Sequence, residues 1–385
     1  QGNCNMALEL NDPFYTEDEA LFARTVRAFY DKELDGKLPD LEAAGGEDRA
    51  FWAKAAEAGL VGVAIPEEYG GPGASPIFNV ILSYELGRSV GYGTIGGNIA
   101  TDLATMIVME GGTEAQKHAL APRILAGAIQ CMALTEPDAG SDAAAIKTVA
   151  RRDGDDYVIS GSKVYISNGL KADLLYIVAK TDPAAGLRGM TIILVEGDAP
   201  GLSRHRLKTM AFPAGGVASL FLDEVRVPVS NRIGDEGGAV ALLSKTLAVD
   251  RLQTGARALG QAEIAFEMTL DYTKQRKVQG KPLFDLQHTK MKLAEMKTDI
   301  AVGRSLFFDH LGRMRSGAYS TVDAAISKNW LCRMSAQVLD RCVQLYGGAG
   351  FMDEMPISRL YTANRQFRFV AGTEELLNLQ IARSL

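Results

Sequence analysis

The hydrophobic period changes twice along this chain of 385 residues, and those two changes limit the fold more than any other feature of the sequence. From residue 16 to about 130, apolar residues recur at helical spacing, through Leu21, Val26 and Phe29 and again through Phe78, Ile81, Leu82 and Leu86. Thr16 ahead of Glu17, Asp18 and Glu19 reads as a helix start, a hydroxyl cap with acids in the first turn. Pro66 to Gly73 is turn chemistry between helices. From about 131 to 233 the period drops to two. Tyr157 to Ser167 reads as two strands around a turn at Gly161. Leu174 to Ala179, Met190 to Val195, Ala218 to Leu222 and Val225 to Val227 read as further short strands. Past Gly237 and Gly238 the helical spacing returns, with Leu242, Leu243, Leu247, Leu252, Ala256, Leu259 and Met268 on one face. Helical patterns follow at about 287–316, 321–346, 354–368 and 373–384. The expected fold is α+β and mainly α. An N-terminal helical domain (1–130) precedes a central antiparallel β-barrel or sandwich (131–235), and a C-terminal four-helix bundle (236–385) follows.

Composition narrows the function classes. With 47% hydrophobic and 23% charged residues the chain has material for a large core. A net charge of −6, from 41 basic and 47 acidic residues, gives no global reason to bind nucleic acid or an anionic membrane. An anionic ligand needs a local basic site instead. Cys4, Cys131, Cys332 and Cys342 form no CxxC pair, so reduced thiols and a cytoplasmic setting are expected. Cys332 and Cys342 share one helical pattern and read as packing residues. No signal peptide and no membrane-spanning apolar run is found; Gln1 to Asn5 read as vector-derived, with Met6 as the natural start.

Three segments carry chemistry. The first is Ala133-Leu134-Thr135-Glu136-Pro137-Asp138-Ala139-Gly140-Ser141-Asp142. Its Pro137 to Asp142 part is a tight turn that exposes backbone N–H groups, with the hydroxyls of Thr135 and Ser141 beside them. That suits a flavin edge or a phosphate, and equally a plain structural loop with a hydroxyl-capped turn. The second is Asp223-Glu224-Val225-Arg226-Val227-Pro228. The third is Tyr346-Gly347-Gly348-Ala349-Gly350-Phe351, with Gly372-Thr373 further on. Other patterns carry less. Gly91 to Gly96 spells GxGxxG, but a helical pattern precedes it, so it reads as a loop between helices. His118, His205, His288 and His310 show no metal spacing. Ser160 to Lys163 spells SxxK within a strand turn, a poor place for a nucleophile.

On these segments and the α–β–α order, the chain resembles the acyl-CoA dehydrogenase family over nearly its whole length; the first segment matches the family signature at every fixed position. The resemblance implies FAD as cofactor, held by Met132, Leu134, Thr135, Gly140 and Ser141, with Tyr165 and Ser167 beside the ring. It implies that a neighbouring subunit adds Arg276, Gln279, Gln287, Gln344 and Gly348, while Thr373 and Glu375 stand at the start of the last helix. Arg276 then pairs with the FAD pyrophosphate. Read without the family, Arg276 is a solvated residue of a basic stretch, and Gln287 and Gln344 are helix-surface amides. Gln279 stands where the family usually has an aromatic residue. A shared cofactor site requires an oligomer, a homotetramer or a dimer.

Family chemistry removes the α-proton of an acyl thioester with a carboxylate and passes the β-hydrogen to flavin as hydride. The base must have a raised pKa and the enolate oxygen needs donors. Most relatives place that base as Glu before Gly-Thr; here Ala371 stands there and offers only its backbone N–H to the thioester oxygen. Glu374 and Glu375 read as first-turn acids of the last helix. Some relatives carry the base on the first long bundle helix before an Arg, which points to Asp250 as the base and to Arg251 as a substrate-site residue or an orienter. Ser141 is also expected at the substrate. The alternative for Asp250 is a surface ion pair with Arg257 or Lys245, or a buried pairing with Arg251. Thr362 and Ala363 replace a usual Arg-Asp, and Val370 a usual aromatic residue. The small Val370 and Ala371 leave room for a bulky acyl group.

The leading expectation is therefore an oxidoreductase of fatty-acid metabolism acting on acyl-CoA or a carrier-protein thioester, with an electron-transferring flavoprotein as acceptor. The competing readings are a flavin oxidase or monooxygenase acting on a non-thioester, and a non-catalytic relative: a flavin-binding or flavin-losing partner subunit, or a nucleic-acid-binding protein, the last opposed by the acidic net charge.

Overall fold

A computed structural model describes residues 14–43, 49–95 and 103–385. Cys4, the proposed start at Met6 and Gly96 lie outside the described residues. Helix α1 (Glu17–Glu33) opens on its expected cap. Thr16 Oγ1 accepts from the Glu19 N–H at 3.2 Å, and the Glu19 carboxylate accepts from the Thr16 N–H at 2.9 Å. Helices α2 (Leu38–Ala43), α3 (Arg49–Glu57), α4 (Pro76–Gly87), α5 (Tyr92–Ile95), α6 (Leu103–Gly111) and α7 (Glu114–Leu125) continue the N-terminal part. The GxGxxG loop is thus a short helix over its described portion. Gly91 donates its N–H to Asp35 Oδ1 at 2.8 Å, so this backbone is occupied within the chain.

Eight strands follow: β1 (Gln130–Ala133), β2 (Val149–Asp153), β3 (Asp156–Ile166), β4 (Leu174–Lys180), β5 (Met190–Glu196), β6 (Leu202–Arg206), β7 (Ala218–Pro228) and β8 (Arg232–Ile233). Their order is β6-β7-β3-β2-β4-β5-β8, with β1 parallel to β4 and β2 touching β4 in parallel at Val149–Lys180. The sheet is open and mixed, which corrects the antiparallel barrel; the chain between β1 and β4 runs through the 134–148 loop and the β2–β3 pair, a connection long enough for β1 and β4 to pair in parallel. The two strands read around Gly161 are one strand, β3. Gly161 is a point of irregular register, where a Cβ would stand 2.4 Å from Thr148 Oγ1. The two short strands at 218–227 are likewise the single β7. In β4, Leu174, Tyr176 and Val178 pack toward the N-terminal helices while Leu175, Ile177 and Ala179 pack in the sheet's own core with Tyr157, Ile159 and Leu220. Burial on both faces explains its unbroken apolar run.

The C-terminal part is built on α8 (Ala239–Gln275), with α9 (Gln287–Arg315), α10 (Thr321–Tyr346), α11 (Pro356–Asn364) and α12 (Glu374–Ala382). The pattern read at 354–368 is α11 followed by a 3-10 turn at Arg365–Arg368. A small hairpin, β9 (Lys277–Val278) and β10 (Lys281–Pro282), joins α8 to α9. Gln279 (φ 51°) and Gly280 (φ 80°) form its two-residue turn, both left-handed. The N-terminal helices lock onto α8 by close backbone approach. A Cβ at Gly87 would stand 2.2 Å from Arg257 O, and one at Gly260 2.4 Å from Tyr84 O. Among the described residues no helix is long and apolar enough to cross a membrane.

Candidate active site

Two groups of residues, on different elements, hold most of the expected site. The first is the loop from Leu134 to Thr148, which crosses the edge of β3. Glu136 anchors it. Its carboxylate is buried and accepts from the N–H groups of Lys147 (2.6 Å) and Thr148 (3.0 Å) and from Lys163 Nζ (2.8 Å). Burial by itself would raise the Glu136 pKa; Lys163 and those N–H donors outweigh it and hold the carboxyl below its usual range. Lys163 also donates to Leu134 O at 3.0 Å, and Val164 N–H donates to Thr135 O at 2.9 Å. The Lys of the SxxK pattern is therefore an internal anchor. These bonds bring Thr135 beside Tyr165. Tyr165 is 69% exposed and sits at φ 60°, a conformation a bulky residue rarely adopts. Ser167 is exposed next to it, and Asn168 (φ 61°) ties the turn to β1 through Gln130 O at 3.0 Å. Met132 and Leu134 line the same edge half-buried. At the loop tip, the N–H groups of Gly140, Ser141 and Asp142 have no partner among the described residues. No atom stands within 4 Å of where a Gly140 Cβ would be.

The second group lies where α8 passes the segment between α11 and α12. Asp250 is buried, and its carboxylate has no hydrogen bond or ion pair among the described residues. That rules out the surface ion pairs with Arg257 or Lys245. Burial raises its pKa, and the positive charges of Arg257, Arg251 and Lys328 only partly oppose this. Arg251, the next residue, donates from Nε to Ala371 O at 3.2 Å and from Nη1 to Gln380 Oε1 at 2.9 Å. Lys328 of α10 donates to Gly372 O at 2.8 Å. Two cations thus grip two successive carbonyls. They hold Ala371 at φ 55° and Gly372 at φ 100°, backbone that would otherwise relax. The N–H groups of Ala371, Gly372 and Thr373 have no partner among the described residues. Thr373 caps α12 by accepting from Leu376 N–H at 3.3 Å, while Glu375 is exposed in its first turn. Glu374 pairs with Arg368 at 2.7 Å, so it faces away from this work. Nearby, Thr362 bonds back to its own helix and Ala363 is fully buried.

Comparison with known proteins places the family over nearly the whole chain. Family models of the acyl-CoA dehydrogenase N-terminal, middle and C-terminal domains match residues 16–128, 131–225 and 236–385. The mitochondrial long-chain specific acyl-CoA dehydrogenase of Rattus norvegicus is 33% identical over 375 residues, covering 96% of this chain and 87% of that protein. The chain belongs to the acyl-CoA dehydrogenase family. Among solved structures, an acyl-CoA dehydrogenase from Geobacillus kaustophilus superposes with a TM-score of 0.92 at 35% identity, covering 96% of this chain and 98% of that one. A glutaryl-CoA dehydrogenase from Mycobacterium smegmatis in complex with FADH2 gives 0.88 at 28% identity, covering 97% and 96%. This acyl-CoA dehydrogenase is thus an oxidoreductase acting on CH–CH groups, and its cofactor is FAD.

The residues present fit that cofactor. Three adjacent N–H donors without partners, an open space at Gly140 and an exposed aromatic ring on the neighbouring strand are what a polar-edged, flat group requires. The remaining expected residues lie elsewhere. Arg276, at the far end of α8, stands about 39 Å along the helix from Asp250 at ~1.5 Å of rise per residue. Arg276, Gln279, Gln287, Gln344 and Gly348 are all exposed. The structure gathers them at the end of the bundle remote from Asp250.

Three side chains that position these segments are not legible as such in the sequence. Glu136 stands inside the signature and Lys163 inside the SxxK pattern, and no local pattern of charges and apolar neighbours marks them as a pair. Lys328, among Ala324, Ala325 and Leu331 of a core helix, is the one with a signal, a cation on an apolar face.

Proposed function

We propose that this acyl-CoA dehydrogenase carries out α,β-dehydrogenation of an acyl-CoA thioester with Asp250 as the base. The observation that carries the reading is the buried Asp250 carboxylate, without a partner among the described residues, one residue from the arginine that clamps the Ala371 carbonyl. The α-proton of a thioester is weakly acidic, so a carboxylate of raised pKa suits its removal. The unpartnered Ala371 N–H accommodates the thioester oxygen, stabilising the enolate as the proton leaves. Arg251 and Lys328 fix that peptide in place. FAD, when bound, would supply the acceptor for the β-hydrogen. Met132, Leu134, Thr135, Gly140, Ser141, Tyr165 and Ser167 are the residues that would hold its ring end, with Ser141 also reaching toward the substrate.

The exposed set at Arg276, Gln279, Gln287, Gln344 and Gly348 serves the FAD of a second copy, with Arg276 on the pyrophosphate. Phe351, 85% exposed beside Gly348, supports a covering partner there. We take the assembly to be a homotetramer or a dimer and the electron acceptor to be an electron-transferring flavoprotein. Cys131, Cys332 and Cys342 are free and buried, which suits a reducing compartment such as the cytoplasm.

The test is anaerobic addition of acyl-CoA thioesters to FAD-loaded wild type and Asp250→Asn. Bleaching of the flavin in wild type and not in the variant supports the reading. Equal bleaching in both removes Asp250 as the base. No bleaching by any thioester turns the assignment toward a carrier-bound or non-thioester substrate.

A further inference from the structure

Gln253 is fully buried, and neither its amide oxygen nor its amide nitrogen has a hydrogen-bond partner among the described residues. The mechanism above does not use it. At 3.6 residues per turn, Leu242, Thr246, Asp250, Gln253 and Arg257 fall within an arc of roughly 80° on α8. Both ends of that stripe touch the N-terminal helices. Leu242 packs at the end of α6, where a Gly111 Cβ would stand 2.5 Å from its Cδ2. Arg257 meets α4 through its carbonyl at Gly87 and through a guanidinium bond to Ser83 Oγ at 3.4 Å; it also donates to Thr254 Oγ1 at 3.0 Å. Gln253 lies between these two contacts, on the side of α8 turned toward α4 and α6. It stands one helical turn from Asp250, close enough for both side chains to meet one ligand.

A buried amide with donor and acceptor both idle is unfavourable, and the neighbouring core positions on α8 (Leu252, Ala256, Leu259) are apolar. A plain alkyl chain in this region would leave the amide idle in the complex as well. A group that both accepts and donates, or that presents two oxygens, would engage it. We propose that Gln253 determines substrate specificity, and that the acyl group carries an oxygen function, a hydroxyl or a carboxyl, a few carbons beyond the α-carbon. This rests on Asp250 as the base, which sets where the α-carbon lies. A site built to bond a polar substrate group discriminates strongly against the analogue that lacks it.

The experiment compares anaerobic flavin reduction by hexanoyl-CoA, 6-hydroxyhexanoyl-CoA and adipoyl-CoA in FAD-loaded wild type and Gln253→Leu. In wild type, kcat/KM is expected to be at least about tenfold higher for one or both oxygenated thioesters. Preference for the hydroxyl compound alone assigns a neutral oxygen, and preference for adipoyl-CoA alone an anionic end. In Gln253→Leu the ratio is expected to fall to about one through loss of the oxygenated substrates, with hexanoyl-CoA held or improved. The variant is also expected to melt above wild type, since the idle amide is gone. Equal rates with all three thioesters in wild type overturn the inference while leaving the dehydrogenase assignment intact. A flavin bleached by none of them overturns both. Should Gln253→Leu fail to fold, the wild-type preference decides alone.

Discussion

Asp250 sits where ionisation is unfavourable, and that single fact makes it both a usable base and a liability. Its folded-state pKa lies above the unfolded value because burial outweighs the nearby cations. Between those two values the folded chain binds more protons than the unfolded one, so stability falls as pH rises through that window. Asp250→Asn is therefore expected to melt higher than wild type at neutral pH. The same variant is expected to slow flavin reduction roughly a hundredfold to ten-thousandfold, the usual loss on removing a general base. Stopped-flow reduction and a melting curve check both halves; a variant that is slower and also less stable would mean Asp250 is a structural residue. In wild type the reduction rate should climb with pH as the carboxyl loses its proton, with a midpoint above the ordinary carboxylate range. That limb should be absent from Asp250→Asn. Asp250 was legible in the sequence only through its Arg251 neighbour and the vacancy at Ala371. Its burial comes from the packing of α8 against both α4 and α10, which no local pattern encodes.

At the scale of elements, the Leu134–Thr148 loop depends on one buried pair and the Ala371–Gly372 segment on two clamps. Replacing Lys163 with Met leaves Glu136 buried without its cation, a change that typically costs about 3–5 kcal/mol. Urea unfolding is expected to show a loss of that order, and the purified variant to carry less FAD by its visible absorbance. A fully flavinated, undiminished Lys163→Met would remove the pair from any role in holding the loop. Lys328→Met is expected to act differently. It frees the Gly372 carbonyl, at about 1–3 kcal/mol, and slows thioester reduction while FAD content stays at the wild-type level. The strands illustrate why elements are harder to read than periods. β3 looks like two strands because Gly161 interrupts the pattern, yet the backbone runs on, since Thr148 of β2's approach leaves no room for a side chain there. The short β6 and β8 carry too few residues for alternation to stand out.

For the whole molecule, the distance between Asp250 and Arg276 along α8 argues for assembly. A single copy holds Asp250 in the first half of α8 and the exposed Arg276 set at that helix's C-terminal end. Light scattering on the FAD-loaded protein is expected to give a mass at least twice the 41.3 kDa of one chain. Arg276→Ala is expected to weaken FAD retention by roughly tenfold or more, the scale of a charge-assisted contact to phosphate, without changing the fold. A monomer that keeps its FAD through dilution and gel filtration would refute the shared site.

The order of the three structural regions, their helical or strand character and the signature loop followed from the sequence alone, because hydrophobic period and turn residues are local properties of the chain. The open sheet, the anchoring of the loop by Glu136 and Lys163, the grip of Arg251 and Lys328 on the carbonyls at 371 and 372, and the idle amide of Gln253 were decided only by tertiary structure. Each of these depends on which distant residues share a desolvated space, and burial rather than residue type determines whether a charge there pairs, titrates or waits for a ligand.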